Sequence, residues 1–278
     1  MRFDNPELVD TSAGRVAVHQ AGQGSPVVLL HGLFGASPVW SGVAPLLAAR
    51  HRVLAVDLLG FGHSERVRDA EALWAPSQAA AIGEALDALG VGPAAFVGYD
   101  YGGPVALTLS ARAPQRVTAL TLSATNAFPD APMPFPLSLL FLPVVGGAAE
   151  AALFSRPGLA MAARAAVGTK GVRLDRWLLL GDRAQSRAVR TLFKQALRQM
   201  PARYGPVHDA LTRLDVPTLV VWGDRDPFFA LEQGRRTAAA VRGAQLRVYD
   251  GAGHFVPEEQ PERFAADVLA LLARVGAA

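Results

Sequence analysis

The stretch Phe96–Gly103 reads FVGYDYGG and contains a G-x-D-x-G pattern centred on Asp100. The run Ala94–Gly98 is short and apolar, which predicts a buried strand, and Gly102–Ala113 has the pattern of a helix. Glycines two positions before and after Asp100 permit a sharp, strained turn between these elements. Such a turn projects the Asp100 side chain from the edge of a sheet, near a helix N-terminus that favours negative charge.

Short apolar runs of the same kind recur on both sides of this turn. They do not alternate between apolar and polar residues, which is typical of a parallel sheet covered on both faces. The predicted strands are Pro26–His31, Arg52–Asp57, Val117–Ser123, Pro217–Gly223 and Leu246–Asp250, the other helical patterns are Val39–Ala49, Pro76–Leu89 and Pro261–Val275, and a leading hairpin is predicted within Phe3–Gln20. This order predicts an α/β fold with a mostly parallel, doubly wound sheet.

The strand–helix alternation stops between Phe128 and Thr212. This stretch opens with a proline-rich apolar segment and continues as a helical pattern without a clear strand. We therefore predict a core domain made of residues 1–127 and 213–278, with residues 128–212 inserted as a helical cap over the sheet.

The amino-acid composition excludes several classes of protein and of functional site. The chain has 278 residues, 51% of them hydrophobic, and no cysteine. The apolar content excludes a disordered chain, and the absence of cysteine excludes a disulfide scaffold, a thiolate metal site and a cysteine nucleophile. The net charge of +3 comes without a run of like charges, so we expect no nucleic-acid partner.

Neither a signal peptide nor a spanning helix is predicted. The first residues lack an apolar segment, and the longest apolar stretch, Pro132–Ala149, is interrupted by prolines and glycines. We expect a cytoplasmic location and no membrane contact, and the oligomeric state stays open.

The predicted cap is basic. Residues 128–212 contain 11 Lys or Arg and 5 Asp or Glu, and part of this charge forms a helical stripe made of Arg183, Arg187, Arg190, Lys194 and Arg198. We interpret the stripe as a solvated outer face. The alternatives are steering of an anionic substrate or contact with acidic lipid.

Two further residues complete a catalytic pattern with Asp100. Asp226 follows the strand Pro217–Gly223, and His254 follows the last strand. Nucleophile, acid and histidine therefore occur in the order found in hydrolases with a strand–turn–helix nucleophile. Asp224 is a less favoured alternative to Asp226. The backbone N–H groups of Leu33 and Tyr101 are candidates for an oxyanion hole, because each belongs to a loop that follows a strand.

The chain resembles the α/β-hydrolase superfamily, and specifically its epoxide hydrolase and haloalkane dehalogenase branch, in which the nucleophile is Asp. The resemblance rests on the His31-Gly32 loop, residues 57–64 (DLLGFGHS), the turn at Asp100, GDRDP at 223–227 and GAGHF at 251–255. It covers nearly the whole chain and includes the helical cap. It implies a triad of Asp100, His254 and Asp226.

An Asp nucleophile indicates a particular chemistry. A carboxylate is ionised at neutral pH and needs no base to attack a saturated carbon. The product is an ester on Asp100, which water activated by His254 can hydrolyse, with Asp226 orienting the imidazole. The triad supplies nucleophile, base and charge stabilisation, so no cofactor or metal is implied. The expected partners are a small apolar organic substrate and water.

The two substrate classes that the resemblance implies differ in the leaving group that the enzyme must stabilise. Epoxide hydrolases use two cap tyrosines, of which the predicted cap retains Tyr204 alone. Dehalogenases use N–H donors, for which Trp177 and Trp40 are the candidates here, while Tyr101 and Leu33 replace two usual halide-binding residues. Phe34 replaces a family proline, and Phe34 and Phe128 are candidates to line the pocket. We predict an epoxide hydrolase; the alternatives are a haloalkane dehalogenase and a non-catalytic homologue that binds a small molecule.

Overall fold

The computed structural model describes residues 3–132, 137–168 and 183–275. These residues form one eight-stranded sheet with the order β1-β2-β4-β3-β5-β6-β7-β8. The strands are β1 Glu7–Thr11, β2 Gly14–Ala21, β3 Pro26–Leu30, β4 Arg52–Asp57, β5 Ala94–Tyr99, β6 Val117–Ser123, β7 Thr218–Gly223 and β8 Gln245–Tyr249. The pairs β1–β2 and β2–β4 are antiparallel, and the other pairs are parallel.

Helices connect the strands on both faces of the sheet. They are α1 Ala44–Ala48, α2 Ala75–Ala88, α3 Gly102–Arg112, α4 Gly146–Leu153, α5 Arg156–Ala165, α6 Arg183–Arg198, α7 Met200–Thr212, α8 Leu231–Ala240, α9 Val256–Glu259 and α10 Pro261–Val275. The single helix predicted over Val39–Ala49 is wrong. A 3-10 turn ends at Trp40 and α1 begins separately at Ala44, because Pro45 lacks an N–H group and fits the first turn of a new helix.

Side chains from both faces of the parallel strands are buried, which explains the absence of alternation in the sequence. On β3, Val28 and Leu30 pack into the core beneath α2 and α3, while Val27 and Leu29 pack on the opposite side with residues of α1 and α10. Every residue of β5 is buried. The predicted α/β fold with a mostly parallel, doubly wound sheet is confirmed.

Among the described residues between β6 and β7, helices occur and strands do not. We call α4–α7 the cap helices, and α7 packs against α3 of the core. Within the described ranges, no helix combines the length and apolar character needed to cross a bilayer.

Only Asp100 and Tyr101 separate β5 from α3, so the turn between them is tight. Asp100 has a φ of +51°, a left-handed conformation that non-glycine residues rarely adopt. A Cβ on Gly98 would lie 2.6 Å from the carbonyl oxygen of Gly102, and a Cβ on Gly102 would collide with the backbone of Leu30. The backbone of the turn is fixed by bonds from Asp100 N–H to the Ser123 carbonyl (3.0 Å) and from the Thr125 hydroxyl to the Asp100 carbonyl (2.6 Å).

We expect Gly98→Ala to lower the free energy of unfolding by about 1–3 kcal/mol, because the added methyl overpacks the turn. Chemical denaturation measures the change. Gly83→Ala is the matched control, since a Cβ on Gly83 in the middle of α2 meets nothing within 4 Å. The control should raise stability by about 0.5–1 kcal/mol. Equal stability of the two variants would contradict the packing described for the turn.

Candidate active site

The two oxygens of the Asp100 carboxylate have different surroundings. Oδ1 accepts a hydrogen bond of 2.7 Å from the backbone N–H of Leu33, and the N–H of Tyr101 is a second donor to the carboxylate. Oδ2 lies 3.6 Å from Nε2 of His254, beyond hydrogen-bond distance. One oxygen is thus held by the loop after β3, while the other faces the histidine.

Asp226 and Asp100 face the two different ring nitrogens of His254. His254 Nδ1 lies 2.9 Å from Oδ2 of Asp226. The other oxygen of Asp226 accepts from the N–H groups of Phe228 (2.8 Å) and Phe229 (3.0 Å), which fixes the carboxylate. Asp224 instead accepts from the N–H of Gly251 at 2.7 Å and holds the loop after β8. The geometry therefore places Asp226 rather than Asp224 beside the imidazole.

Burial and charge act in opposite directions on these groups. Burial raises the pKa of Asp100 above its ordinary value, although His254 and the two backbone N–H groups act to lower it. Burial alone would lower the pKa of His254, but the negative charges of Asp226 and Asp100 outweigh it and the pKa is raised. Each group therefore depends on its neighbours for its protonation state.

His31 positions the loop that carries the Leu33 N–H group. Its Nε2 accepts from the N–H of Leu58 (3.0 Å), which leaves Nδ1 to donate to the carbonyl of Gly32 (2.8 Å). Burial lowers the pKa of His31, so the ring stays neutral and keeps both bonds. A Cβ on Gly32 would lie 2.6 Å from Oδ1 of Asp100, so the loop requires glycine there.

Glu259 links the His254 loop to the cap helices. Its carboxylate accepts from the N–H of Gly253 (3.0 Å) and from the N–H of Gly168, just after α5 (2.9 Å). The N–H of His254 in turn donates to the carbonyl of Ala166 (2.8 Å). The loop that carries His254 is therefore held by both the core and the segment after α5.

An apolar cavity of about 200 Å³ lies between the triad and the cap helices. Asp100 and His254 are the Asp and His side chains of its wall. The predicted site residues Leu33, Tyr101, Phe34 and Tyr204 also line it. Phe34 packs against Phe154 and Phe193 of the cap, with ring centroids 6.1 and 5.8 Å apart.

Two residues expected at the pocket lie elsewhere. Trp40 is fully buried against Tyr99 and Phe264, in the apolar cluster that packs on the face of the sheet with α1 and α10. Phe128 packs beneath the guanidinium of Arg236, which lies 4.2 Å from the ring centroid, and does not line the cavity. Trp177 lies outside the described residues.

Tyr204 on α7 lines the same cavity as Asp100. Burial raises its pKa, the charge of Asp100 raises it further, and a hydrogen bond with the Asn126 side chain only partly opposes these effects. The phenol is therefore neutral at physiological pH and keeps its proton as a hydrogen-bond donor. Its ring packs edge-on against Trp74 at 5.5 Å.

Sequence reasoning missed Trp74 and Gln233, which both line the cavity. Trp74 immediately precedes α2, in a segment that carries no periodic pattern. The guanidinium carbon of Arg203, the residue before Tyr204, lies 5.2 Å from the centroid of the Trp74 ring. Arg203 also donates to the Glu71 carboxylate, and these contacts join the segment before α2 to the cap. The signal that could have found Trp74 is its position in the loop after a parallel strand, since such loops collect at one edge of the sheet.

The basic stripe is less solvated than expected, because three of its described members contact other cap residues. Lys194 pairs with Glu150 (2.5 Å), Arg190 donates to the carbonyl of Phe154 (3.0 Å), and the Arg198 guanidinium lies 5.1 Å from the Phe141 ring centroid. Part of the charge thus holds the cap helices together.

Comparison with known proteins agrees with this architecture. The family model described as alpha/beta hydrolase fold matches residues 25–261. A 2-hydroxymuconate semialdehyde hydrolase from Pseudomonas putida is 33% identical over 276 residues, which cover 95% of this chain and 92% of the relative. An alpha/beta hydrolase fold protein from Burkholderia ambifaria superposes with a TM-score of 0.75 at 28% identity, covering 97% of this chain and 98% of that one.

A solved structure described as an ancestral haloalkane dehalogenase superposes with a TM-score of 0.81 at 20% identity, covering 98% of this chain and all of the other. At that identity the likeness concerns the fold alone. Similar proteins thus carry different activities, and none of these three is described as an epoxide hydrolase.

We expect Glu259→Gln to lower the pKa of His254, because the substitution removes one of the negative charges that raise it. An NMR titration of the imidazole measures the shift. Glu262→Gln, in the exposed first turn of α10, changes the net charge equally and serves as the control. An unchanged His254 pKa in Glu259→Gln would contradict the charge contribution assigned to Glu259.

Proposed function

Because the chain belongs to the alpha/beta hydrolase fold family, we propose that it hydrolyses a substrate at an electrophilic saturated carbon through an ester on Asp100, and that this substrate is an epoxide. The observation that carries the proposal is the asymmetric carboxylate. Oδ1 is bonded to the Leu33 N–H, where the oxyanion of ester hydrolysis would form, and Oδ2 faces His254 without a hydrogen bond. Oδ2 is therefore the attacking atom.

The first step forms the ester. Oδ2 of Asp100 attacks an epoxide carbon, the carbon–oxygen bond of the ring breaks, and its electron pair goes to the ring oxygen. The Tyr204 hydroxyl donates to that oxygen and stabilises the developing charge. Enclosure by apolar side chains strengthens this interaction because water is excluded.

The second step releases the product. Neutral His254 takes a proton from water, and the hydroxide attacks the carboxyl carbon of Asp100. Leu33 and Tyr101 N–H groups stabilise the oxyanion, and the bond between the carboxyl carbon and Oδ2 then breaks. The departing alkoxide takes the proton from His254. Asp100 keeps an oxygen from water, and the second proton of that water passes through the Tyr204 hydroxyl to the oxygen left negative by ring opening. The product therefore leaves as a diol, and Asp100 returns to the carboxylate.

Charge changes during the reaction favour this order of events. The carboxylate of Asp100 is one of the charges that raise the pKa of His254. Esterification removes that charge, so the imidazole loses a proton more readily when it is needed as a base. Asp226 keeps its charge and stabilises the imidazolium that forms next.

The carboxylate nucleophile also argues against direct attack on a ketone or an aldehyde. Such an adduct expels the carboxylate again, because it is a better leaving group than a carbon fragment. The semialdehyde in the name of the Pseudomonas putida relative is therefore a poor match to Asp100. Between an epoxide and an alkyl halide, the neutral Tyr204 phenol in the cavity wall favours the epoxide.

We expect His254→Gln to trap the ester, because attack by Asp100 needs no base whereas hydrolysis does. Incubation with a small epoxide such as styrene oxide should add the substrate mass to the peptide that contains Asp100, and steady-state turnover should fall by about 10²–10⁴-fold. Mass spectrometry and diol release measure the two effects. His51→Gln, a histidine far along the chain from the triad, is the control. Absence of an adduct with both epoxides and bromoalkanes would exclude the mechanism and favour a binding protein.

We expect Tyr204→Phe to reduce diol formation from epoxides more than tenfold, because one hydrogen-bond donor to the leaving oxygen is lost (roughly 10² for such a donor). Parallel assays with 1-bromobutane measure halide release. Two results together would instead assign the protein to haloalkane dehalogenation. The unaltered protein would release halide faster than diol, and Tyr204→Phe would leave halide release unchanged.

A further inference from the structure

A second group of ionisable side chains lies outside the cavity, at the C-terminal end of β4. Asp57 is the last residue of β4, His19 lies on the neighbouring β2, and His63 follows in the loop after β4. Asp57 Oδ2 is 3.1 Å from Nε2 of His19 and 3.5 Å from Nδ1 of His63. All three atoms lie within 4.8 Å of one another. We call these residues the His19–Asp57–His63 cluster.

The carboxylate of this cluster is buried without a strong cation. Asp57 and His19 are fully buried, and no Lys or Arg in the described ranges forms an ion pair with Asp57. A buried negative charge of this kind normally has a cationic partner.

Hydrogen bonds fix the carboxylate in place. Oδ1 accepts from the N–H of Ser37 (2.7 Å), and Oδ2 accepts from the N–H of His63 (2.9 Å). The position of Oδ2 between the two rings is therefore set by the backbone and needs no cation to create it. Such support by outer hydrogen bonds is typical of metal-binding carboxylates.

Both histidines can offer a nitrogen to a cation. Nδ1 of His19 is buried and has no hydrogen-bond partner among the described residues. The tautomer with its proton on Nε2 is therefore not stabilised by a bond to Nδ1. The His63 side chain is 49% exposed and gives access from solvent. The backbone N–H of His63, rather than its ring, makes the close bond to Asp57, which leaves Nδ1 available.

We propose that His19, Asp57 and His63 bind a divalent transition-metal cation of the zinc type, with water as the remaining ligands. Zinc lies about 2.0–2.2 Å from histidine nitrogen and carboxylate oxygen, so one ion can bridge atoms 3.1–3.5 Å apart. Two imidazoles with one carboxylate favour such a cation over Mg²⁺ or Ca²⁺. Binding displaces the proton between His19 and Asp57, which is released to solvent.

The cation would join β2 to the loop after β4. Leu58, the next residue after Asp57, donates to His31, and His31 holds the loop that carries the Leu33 N–H. The site therefore supports the oxyanion loop from behind without supplying a catalytic group. This supporting role does not depend on which substrate the protein binds. It also leaves unchanged the expectation that the catalytic steps need no metal.

Isothermal titration of the chelator-treated 278-residue chain with ZnCl₂ tests the proposal. We expect saturable binding of one Zn²⁺ per chain, and no saturable binding of Mg²⁺. His63→Ala should weaken the affinity by about tenfold or more, because a ligand is lost. Zn²⁺ should also raise the melting temperature of the unaltered protein and not that of His63→Ala.

Two other histidine variants locate the binding site. His51→Ala removes a partly exposed histidine outside the cluster, and His254→Ala removes the histidine of the triad; both should bind Zn²⁺ as the unaltered protein does. The melting temperature of His63→Ala without zinc verifies that it folds. No binding by the unaltered protein, equal binding by folded His63→Ala, or loss of binding in His254→Ala instead would overturn the proposal.

Discussion

The strained turn at Asp100 is the constraint on which the rest of the site depends. Its positive φ directs the carboxylate out of the sheet edge, where the Leu33 N–H binds one oxygen and His254 faces the other. Strain of this kind persists only when the surrounding structure determines it fully. Here the Thr125 hydroxyl and the backbone of β6 hold the turn, and glycines at 98 and 102 allow the close approach of neighbouring chain segments.

Loops that follow different strands meet at this edge, and each supplies a single part. The loop after β3 supplies the N–H of Leu33, β5 leads to Asp100, and the loops after β7 and β8 supply Asp226 and His254. Parallel strands make this possible because their carboxyl ends share one edge. The nearby charges then adjust one another, since Asp226 and Asp100 together keep the pKa of His254 raised despite burial.

The cap helices cover the cavity beside these groups. They line it with apolar side chains, and Tyr204 on α7 lines the same cavity as Asp100. The segment after α5 is also bonded to the loop after β8, because the carbonyl of Ala166 accepts from the His254 N–H and Glu259 accepts from the N–H of Gly168. The position of His254 is therefore physically linked to that of the cap helices.

The sequence by itself determined the fold class and most strand positions, and it predicted Asp100, His254 and Asp226 as a triad, three residues that the structure brings together at one edge of the sheet. These features have local signals: apolar runs, glycines around one acidic residue, and polar residues directly after strands. Tertiary structure alone decided that Trp40 lies in the core, that Trp74 lines the cavity and that His19 and His63 meet Asp57. The physical reason is that these contacts join segments far apart in the chain. Their distances follow from sheet register and helix packing, which no local pattern encodes.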